Sequence, residues 1–364
     1  MISEQAQLWL RLSLLRGVGP MLGRRLVEAV GGIAALWSAS PDALAAVDGV
    51  GPQLVKLIVE SRTDEAAAIA TDCTAAQIGI LCPDDAQWPS RLIPFEDAPL
   101  LLFYRGDAAA LNSERMLAVV GARRASREGD LITRRWCQYF SQRAITIVSG
   151  MAYGIDAAAH GGTLQGDSPT VAVLGCGLMS LSEQQQRQVA AIARQGCVVS
   201  ELLPETAAKP EFFPRRNRII AGLSDATLVM EADVRSGSLI TAKQAAGYGR
   251  EVCAVPGSVL GNHHAGCHQL IREGATLIES ADQLLEQLGW QAAQEHAASA
   301  ESRYQTDDKQ EQQLLDLLTA GAMHLDHLAE GCGLTVPELS PILLRLELQG
   351  AIERLPGSRY ILTT

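Results

Sequence analysis

Between residues 116 and 290 the chain alternates short unbroken apolar runs with longer stretches whose apolar residues recur every three or four positions. The runs predict strands at Leu117–Gly121, Thr146–Gly150, Thr170–Gly175, Cys197–Leu202, Thr227–Ala232, Glu251–Gly257 and Thr276–Ile278. The periodic stretches predict helices over Arg127–Gln142, Ile155–Leu164, Glu183–Arg194, Arg216–Leu223, Ser238–Gly249, Gly266–Glu273 and Ala281–Leu288. Strands without polar alternation are buried on both faces. The pattern therefore specifies an α/β domain with a doubly wound parallel sheet, and ligands are expected outside the carboxyl ends of its strands.

The flanks follow other rhythms. Residues 1–70 carry helical periodicity broken by two similar turns, Gly17-Val18-Gly19-Pro20 and Gly49-Val50-Gly51-Pro52, each followed by an apolar helical run. Helix, Gly-Val-Gly turn, helix is the pattern of a small SAM or helix-hairpin-helix-like domain, whose tight turn aims backbone N–H groups at a phosphate. A helical bundle that uses the same turns for packing fits the pattern equally well. Residues 71–115, with Asp84-Asp85-Ala86-Gln87-Trp88-Pro89 and prolines at 94 and 99, predict an irregular connector that ends in an edge strand at Leu100–Tyr104. Residues 291–310 lose periodicity and read as a linker rich in Gln, Ala, Glu, Ser and Asp. In 311–364, three helical segments and a hairpin (Ile352–Leu355 and Arg359–Leu362 about Pro356-Gly357-Ser358) predict a winged-helix domain with Val336–Gln349 as its third helix. From Gln310 onward this domain holds seven acids against three arginines, a net of −4 that a phosphate backbone would repel. A protein-contact module is expected there, not a duplex reader.

Length and charge narrow the picture. More than one domain is expected of 364 residues. No apolar run approaches the roughly 20 residues of a membrane span, and Met1–Arg11 does not read as a secretory signal. A cytoplasmic protein is expected. The eight cysteines form no CxxC pair, and positions such as Cys176, Cys197 and Cys253 read as small buried hydrophobes of a reducing compartment. A net charge of −11 argues against a surface coated with nucleic acid. Yet Thr206–Arg218 carries Lys209, Arg215, Arg216 and Arg218 against Glu211 alone, a local +3. Such an island marks either a defined groove or an internal partner for acids such as Glu201 and Glu231.

That island opens the most informative stretch, Phe212 to Ser224. Two aromatics, Phe212 and Phe213, precede Arg215, Arg216, Asn217 and Arg218 and an apolar helical turn. Guanidinium forks suit phosphate oxygens, and exposed aromatic faces suit unpaired bases. Three strand ends add to it. Arg123 and Arg124 lie in a short loop before a helix. Ser149-Gly150 opens the loop to Asp156, expected as a helix cap, and to His160, expected as a structural hydrogen-bonding group. Ser236-Gly237-Ser238 clusters hydroxyl and N–H groups before a helix, as a phosphate cradle or a plain cap.

Two further patterns are weaker. Thr170–Gly175 runs into Cys176-Gly177, with Glu201 at the next strand end, but Ser180 stands at the third glycine position of a dinucleotide fingerprint. No cofactor is expected. His263-His264-Ala265-Gly266-Cys267-His268 offers three imidazoles and a thiol. Adjacent histidines point apart and no second cluster completes a zinc set, so a loop is expected. A GxxxxGK[ST] loop is absent, which argues against an ATP motor.

The segments Val119–Arg123, Ser149–His160, Phe213–Ser224, Glu231-Ala232, Ser236–Ala242, Gly249–Val252, Ala254–Gly257 and Leu270–Ala275 resemble the DprA/Smf family, the DNA-processing proteins of natural transformation. The resemblance implies an extended Rossmann-like domain that binds single-stranded DNA without cutting it, as a homodimer. It also implies protection of the strand and its delivery to the RecA recombinase, with single-strand-binding protein as a further candidate partner. It places DNA contacts at Arg123 and along Phe213 to Arg218, with the loops near Ser149 and Ser236 adjoining. Three segments depart from the family pattern. The usual Leu-Ala-Arg-Gly is Met151-Ala152-Tyr153-Gly154, a Tyr-Pro turn is replaced by Met179-Ser180-Leu181-Ser182, and an asparagine is absent from Cys267-His268-Gln269-Leu270. The alternative to a non-catalytic binder is a Rossmann-type enzyme that hydrolyses the glycosidic bond of nucleoside monophosphates, with Glu201 as its acid.

Overall fold

A computed structural model describes residues 2–61, 63–290, 308–318, 321–349, 351–355 and 357–362. The chain divides into two compact units, Met1–Trp290 and Gln291–Thr364. The first unit begins with α1 (Glu4–Leu14), α2 (Pro20–Val30), α3 (Ile33–Leu36), α4 (Pro41–Ala45), α5 (Pro52–Glu60) and α6 (Asp64–Ala75). Its two Gly-Val-Gly turns share one geometry. Gly17 and Gly49 sit at φ 92° and 88°, in the left-handed region that glycine tolerates. Gly19 and Gly51 then cap α2 and α5, with Pro20 and Pro52 at the first helical position, where an N–H has no intrahelical acceptor. The arginines after the first turn are engaged within the unit. Arg24 donates to the carbonyls of Ile93 and Phe95, and Arg25 pairs with Asp48.

Nine strands form one sheet: β1 (Gly79–Leu81), β2 (Leu102–Gly106), β3 (Met116–Val120), β4 (Thr146–Ser149), β5 (Thr170–Val173), β6 (Cys197–Ser200), β7 (Ala226–Val229), β8 (Glu251–Ala254) and β9 (Thr276–Leu277). The connecting helices are α7 (Arg127–Ser141), α8 (Ile155–Thr163), α9 (Glu183–Gln195), α10 (Phe212–Leu223), α11 (Ser238–Gly247), α12 (Ala265–Arg272) and α13 (Ala281–Gln287). Every strand and helix expected from residue 116 onward in this unit is present, with ends shifted by at most four residues. The sheet is not wholly parallel, however. β2, the strand expected near Leu100–Tyr104, pairs antiparallel with β6, and the stretch expected to be irregular adds β1, which pairs antiparallel with β2 and forms the sheet edge in its place.

Successive side chains of a strand point to opposite faces. In β3, Met116, Ala118 and Val120 enter one core while Leu117 and Val119 enter another, and both faces are apolar because both are covered. Helices α10, α11 and α12 pack on the first face, and α7 and α13 on the second. The N-terminal helices share a core with Leu174, Leu178 and α9, so they belong to the same compact unit as the sheet. The strand order is β1-β2-β6-β5-β4-β3-β7-β8-β9, so the winding reverses between β3 and β7. In open α/β sheets such a switch point leaves a crevice at the carboxyl ends of the two central strands.

The second unit comprises α14 (Lys309–Leu318), β10 (Met323–His324), α15 (Leu325–Cys332), α16 (Val336–Leu348), β11 (Ile352–Leu355) and β12 (Arg359–Leu362) around its own leucine-rich core. This is the expected winged helix, with both hairpin strands on the expected residues and β10 added at the sheet edge. Thr335 and Glu338 close a capping box at the start of α16, and Arg345 on that helix pairs at 2.9 Å with the buried Glu311. Most of the expected linker, 291–310, and Pro356 of the expected turn lie outside the described residues.

All eight cysteines are free thiols, seven of them buried. Burial pushes the Cys73 thiol up to about 11, in keeping with a packing role. Among the described residues no helix is long and apolar enough to cross a membrane.

Candidate functional site

At the switch point a cleft of about 690 Å³ opens between the loop after β3, the loop after β7 and the first turns of α10. Close backbone approach holds the β3 loop in place. Ala122 N–H donates to the Glu231 carbonyl at 2.7 Å, and Ile155 N–H donates to the Ala122 carbonyl at 3.2 Å. Gly154, at φ 76°, packs against this loop, and a Cβ there would come within 2.2 Å of the Ala122 carbonyl oxygen. Arg123 and Arg124 thus extend, exposed, from a loop fixed by its neighbours.

Helix α10 begins at Phe212, four residues before the expected start, so the whole arginine stretch is helical. Pro214 is accommodated because it falls in the first turn, where its ring meets no preceding helical carbonyl. Residues three or four apart share a helix face. Phe213, Arg216, Asn217 and Ile220 accordingly line the cleft. Arg215 and Arg218, also three apart, turn to Glu201, at 3.2 and 2.5 Å. The Arg218 and Glu201 side chains are only 8% and 10% exposed. Phe212 lies outside the cleft, with the Lys209 ammonium 5.7 Å from its ring centre.

Arg216 is buried in the cleft floor. Its Nη1 donates to the carbonyls of Gly150, at 2.7 Å, and of Val173, and its Nε donates to Asn217 Oδ1 at 3.1 Å. Asn217 Nδ2 in turn donates to the Gly237 carbonyl at 3.3 Å, which ties the floor to the loop after β7. Ser149 and Gly150 lie beneath the cleft and do not line it. Ser149 Oγ donates to the Val119 carbonyl at 2.7 Å, and Gly150 N–H donates to Asp156 Oδ2 at 3.2 Å. Asp156 is not the helix cap it was expected to be. Gly154 holds that position, and the Asp156 carboxylate, in the first turn of α8, accepts from the preceding loop at Gly150 and Ala152. Burial raises the Asp156 carboxyl above its ordinary range, opposed by the Arg216 charge and by those two amides. Burial likewise pushes the Arg216 guanidinium down to about 10, opposed by Asp156.

His160 is the buried hydrogen-bonding group expected. Thr170 Oγ1 gives its proton to the Ile147 carbonyl at 3.0 Å, so the imidazole Nδ1–H must donate to Thr170 Oγ1, at 2.8 Å. Nε2 is left buried with no hydrogen-bond partner. Burial, then the Arg216 charge, push this imidazole down to about 3. Unfolding at acid pH therefore takes up a proton that the folded state refuses. Stability is whole above the ordinary value of 6.5 and falls as the pH drops from there towards 3. Urea unfolding of the native chain should show this acid sensitivity, and His160→Gln should flatten the pH slope whatever it does to stability at neutral pH.

Ser236, Gly237 and Ser238 form the start of α11 and line the cleft across from α10, with the two serine Oγ atoms 2.7 Å apart. Arg235 lines it as well, although the sequence pattern does not single it out. Its one signal is a basic residue directly before a Ser-Gly-Ser helix start at a strand end. Arg123, Arg124 and Arg235 are all exposed, and among the described residues none of them pairs with an acid. The Arg123 guanidinium lies 5.0 Å from the centre of the Phe213 ring. With Arg216 beneath, four arginines face two aspartates, Asp156 and Asp233, so the lining is cationic.

The weaker sequence patterns find structural reasons. A Cβ at Gly175 would lie 2.7 Å from the Phe213 ring, and one at Gly177 would lie 2.2 Å from the carbonyl oxygens of Leu203 and Pro204. Close packing accounts for both glycines. Residues 263–268 are a loop only as far as His264, since α12 begins at Ala265, and their three histidines do not converge. His263 turns to Glu231, His264 Nδ1 lies 3.4 Å from the Val255 carbonyl, and His268 Nε2 accepts the Gly257 N–H at 3.3 Å. Among the described residues no group of His, Cys, Asp and Glu is placed to hold a metal ion.

Known proteins are similar to this chain in sequence and fold. The family model of DNA recombination-mediator protein A matches residues 79–289, that of the DprA winged helix domain 295–358, and that of a SAM-like helix-hairpin-helix tandem 10–64. Protein Smf of Synechocystis sp. is 34% identical over an alignment of 397 residues that covers 98% of each chain. The X-ray structure of DNA processing protein A from Streptococcus pneumoniae matches with a TM-score of 0.68 and 32% identity, over 79% of this chain and 98% of that one. A structure of DNA processing protein A from Helicobacter pylori, concerned with that protein's single-stranded DNA binding mode, matches with a TM-score of 0.52 and 25% identity, over 58% of this chain and 95% of that one. With the three-part order of domains and a likeness that runs nearly end to end, the chain belongs to the DprA/Smf family of DNA-processing proteins.

Proposed function

We propose that this protein binds and protects single-stranded DNA in the switch-point cleft without cutting it. One observation carries the reading: three exposed arginines, Arg123, Arg124 and Arg235, surround one cleft and have no acid partner among the described residues. Phosphates would sit on those guanidinium groups and on the Ser236–Ser238 turn, and an unpaired base would stack against Phe213. Arg215 and Phe212 would extend the contact along α10. Arg218, neutralised by Glu201, and Arg216, with Ser149 and Gly150 beneath it, would shape the site without gripping the strand. Delivery of the strand to the RecA recombinase, contact with single-strand-binding protein and a homodimeric state rest on the family resemblance alone, and a cytoplasmic location rests on the apolar patterning and cysteine usage of the sequence.

An enzymatic reading finds less support. Glu201, the acid it requires, is held by two arginines and does not line the cleft. Titration of the full chain with a dT oligonucleotide and with a duplex of equal length tests the proposal. Tighter binding of dT is expected, and equal or tighter binding of the duplex would refute it. Release of free base from nucleoside monophosphates would revive the enzyme.

The winged unit is proposed as a protein-contact module, since Arg345 of its third helix is already paired with Glu311. A chain ending at Trp290 keeps the three cores of the first unit. It should bind dT within about twofold of the full chain, because a net-acidic module adds no phosphate contacts. A loss of an order of magnitude would assign the winged unit a share of the DNA.

A further inference from the structure

The loop between β8 and α12 brings one more titratable side chain to the cleft. His263 lines it, its side chain 59% exposed, and its Nδ1 lies 3.0 Å from Oε1 of Glu231, which is fully buried. The same carboxylate accepts from Ser126 N–H at 2.9 Å and from Ser126 Oγ at 2.6 Å, so it is fixed from two sides. A carboxylate only accepts, so the neutral imidazole must place its proton on Nδ1. The ring nitrogen left for the cleft, Nε2, is then a lone pair, which repels a phosphate oxygen. Protonation turns it into a charged donor without moving the ring.

We infer that His263 is a proton-dependent phosphate ligand of the cleft, with Glu231 as the positioning residue that fixes its tautomer. The inference rests on the single-strand reading of the same cleft. Other charged groups face this site from every side. Arg123 and Arg124 lie on the β3 loop, and Asp233 and Arg235 on the β7 loop, with Asp156 and Arg216 in the floor. Asp156, raised by burial, is the other group that a falling pH could reach. The neighbouring His264 is turned to the Val255 carbonyl.

The test is the affinity of the full chain for a dT oligonucleotide at pH 8 and pH 6, at constant ionic strength. Imidazole as a class changes charge in this window. Binding should tighten by roughly five- to tenfold at pH 6, with a salt slope steeper by about 0.7 log units, the share of one added phosphate contact on a single strand. His263→Gln should abolish the pH dependence, and His263→Lys should hold the steeper slope at both pH values. His264→Gln should leave the pH dependence in place. A pH dependence that survives His263→Gln would point to Asp156 and overturn the inference. So would dT binding that does not change between the two pH values, which would leave the cleft reading standing. Failure to bind dT at either pH would overturn both.

Discussion

Arg123→Glu combined with Arg235→Glu is expected to weaken dT binding by roughly a hundredfold at low salt. Two reversals change the cleft by four unit charges, each worth about 1 kcal/mol against a phosphate at contact distance in water. The full sum of about 4 kcal/mol would exceed a hundredfold, since 1.4 kcal/mol is a factor of ten, and screening removes part of it. Both side chains are exposed and have no acid partner among the described residues, so the melting temperature should stay close to that of the native chain. Parallel thermal unfolding and fluorescence-anisotropy titrations separate the two effects. Unchanged affinity in a folded double variant would remove the cleft from the account.

Arg216→Ala should act in the opposite way, destabilising the fold by about 3–5 kcal/mol, the scale of a broken buried charge pairing. The substitution removes hydrogen bonds to the Gly150 and Val173 carbonyls and to Asn217, and it leaves Asp156 buried without its counter-charge. Arg216→Lys should fall between the two, because one ammonium keeps the charge but lacks the planar fork that reaches acceptors in several directions. Urea unfolding would report the loss as a lower midpoint with an unchanged slope. A native midpoint together with lost DNA binding would instead make Arg216 a direct phosphate contact.

These two arginine classes show where the sequence was legible and where it was not. Buried parallel strands leave unbroken apolar runs, so β3 to β9 and their helices could be placed within a few residues from pattern alone. β1 escaped because a three-residue edge strand is too short to show a period, and the antiparallel pairing of β2 has no signature in its own sequence. Within Phe212–Arg218 the residue types were plain but their directions were not. Pro214 and two aromatics disguise a helix start, and once the helix begins at Phe212 its period sends Arg215 and Arg218 to Glu201 and Arg216 to the floor. Arg235 and His263 reach the site only because β3, β7 and β8 lie side by side in the sheet, a juxtaposition that no local spacing encodes. The Gly175 and Gly177 spacing, already incomplete as a dinucleotide fingerprint, answers to Phe213 and the 203–204 backbone, contacts that the sequence does not display.

The central claim is that unpaired guanidinium groups at the switch point hold the phosphates of a single strand. Its most direct measurement is the slope of log affinity for dT against log salt, in the native chain and in a variant with Arg123, Arg124 and Arg235 all replaced by alanine. Each lost phosphate contact on a single strand removes about 0.7 from that slope, so the triple variant should be shallower by roughly 2. A variant that folds normally and keeps the native slope would place the strand elsewhere on the protein.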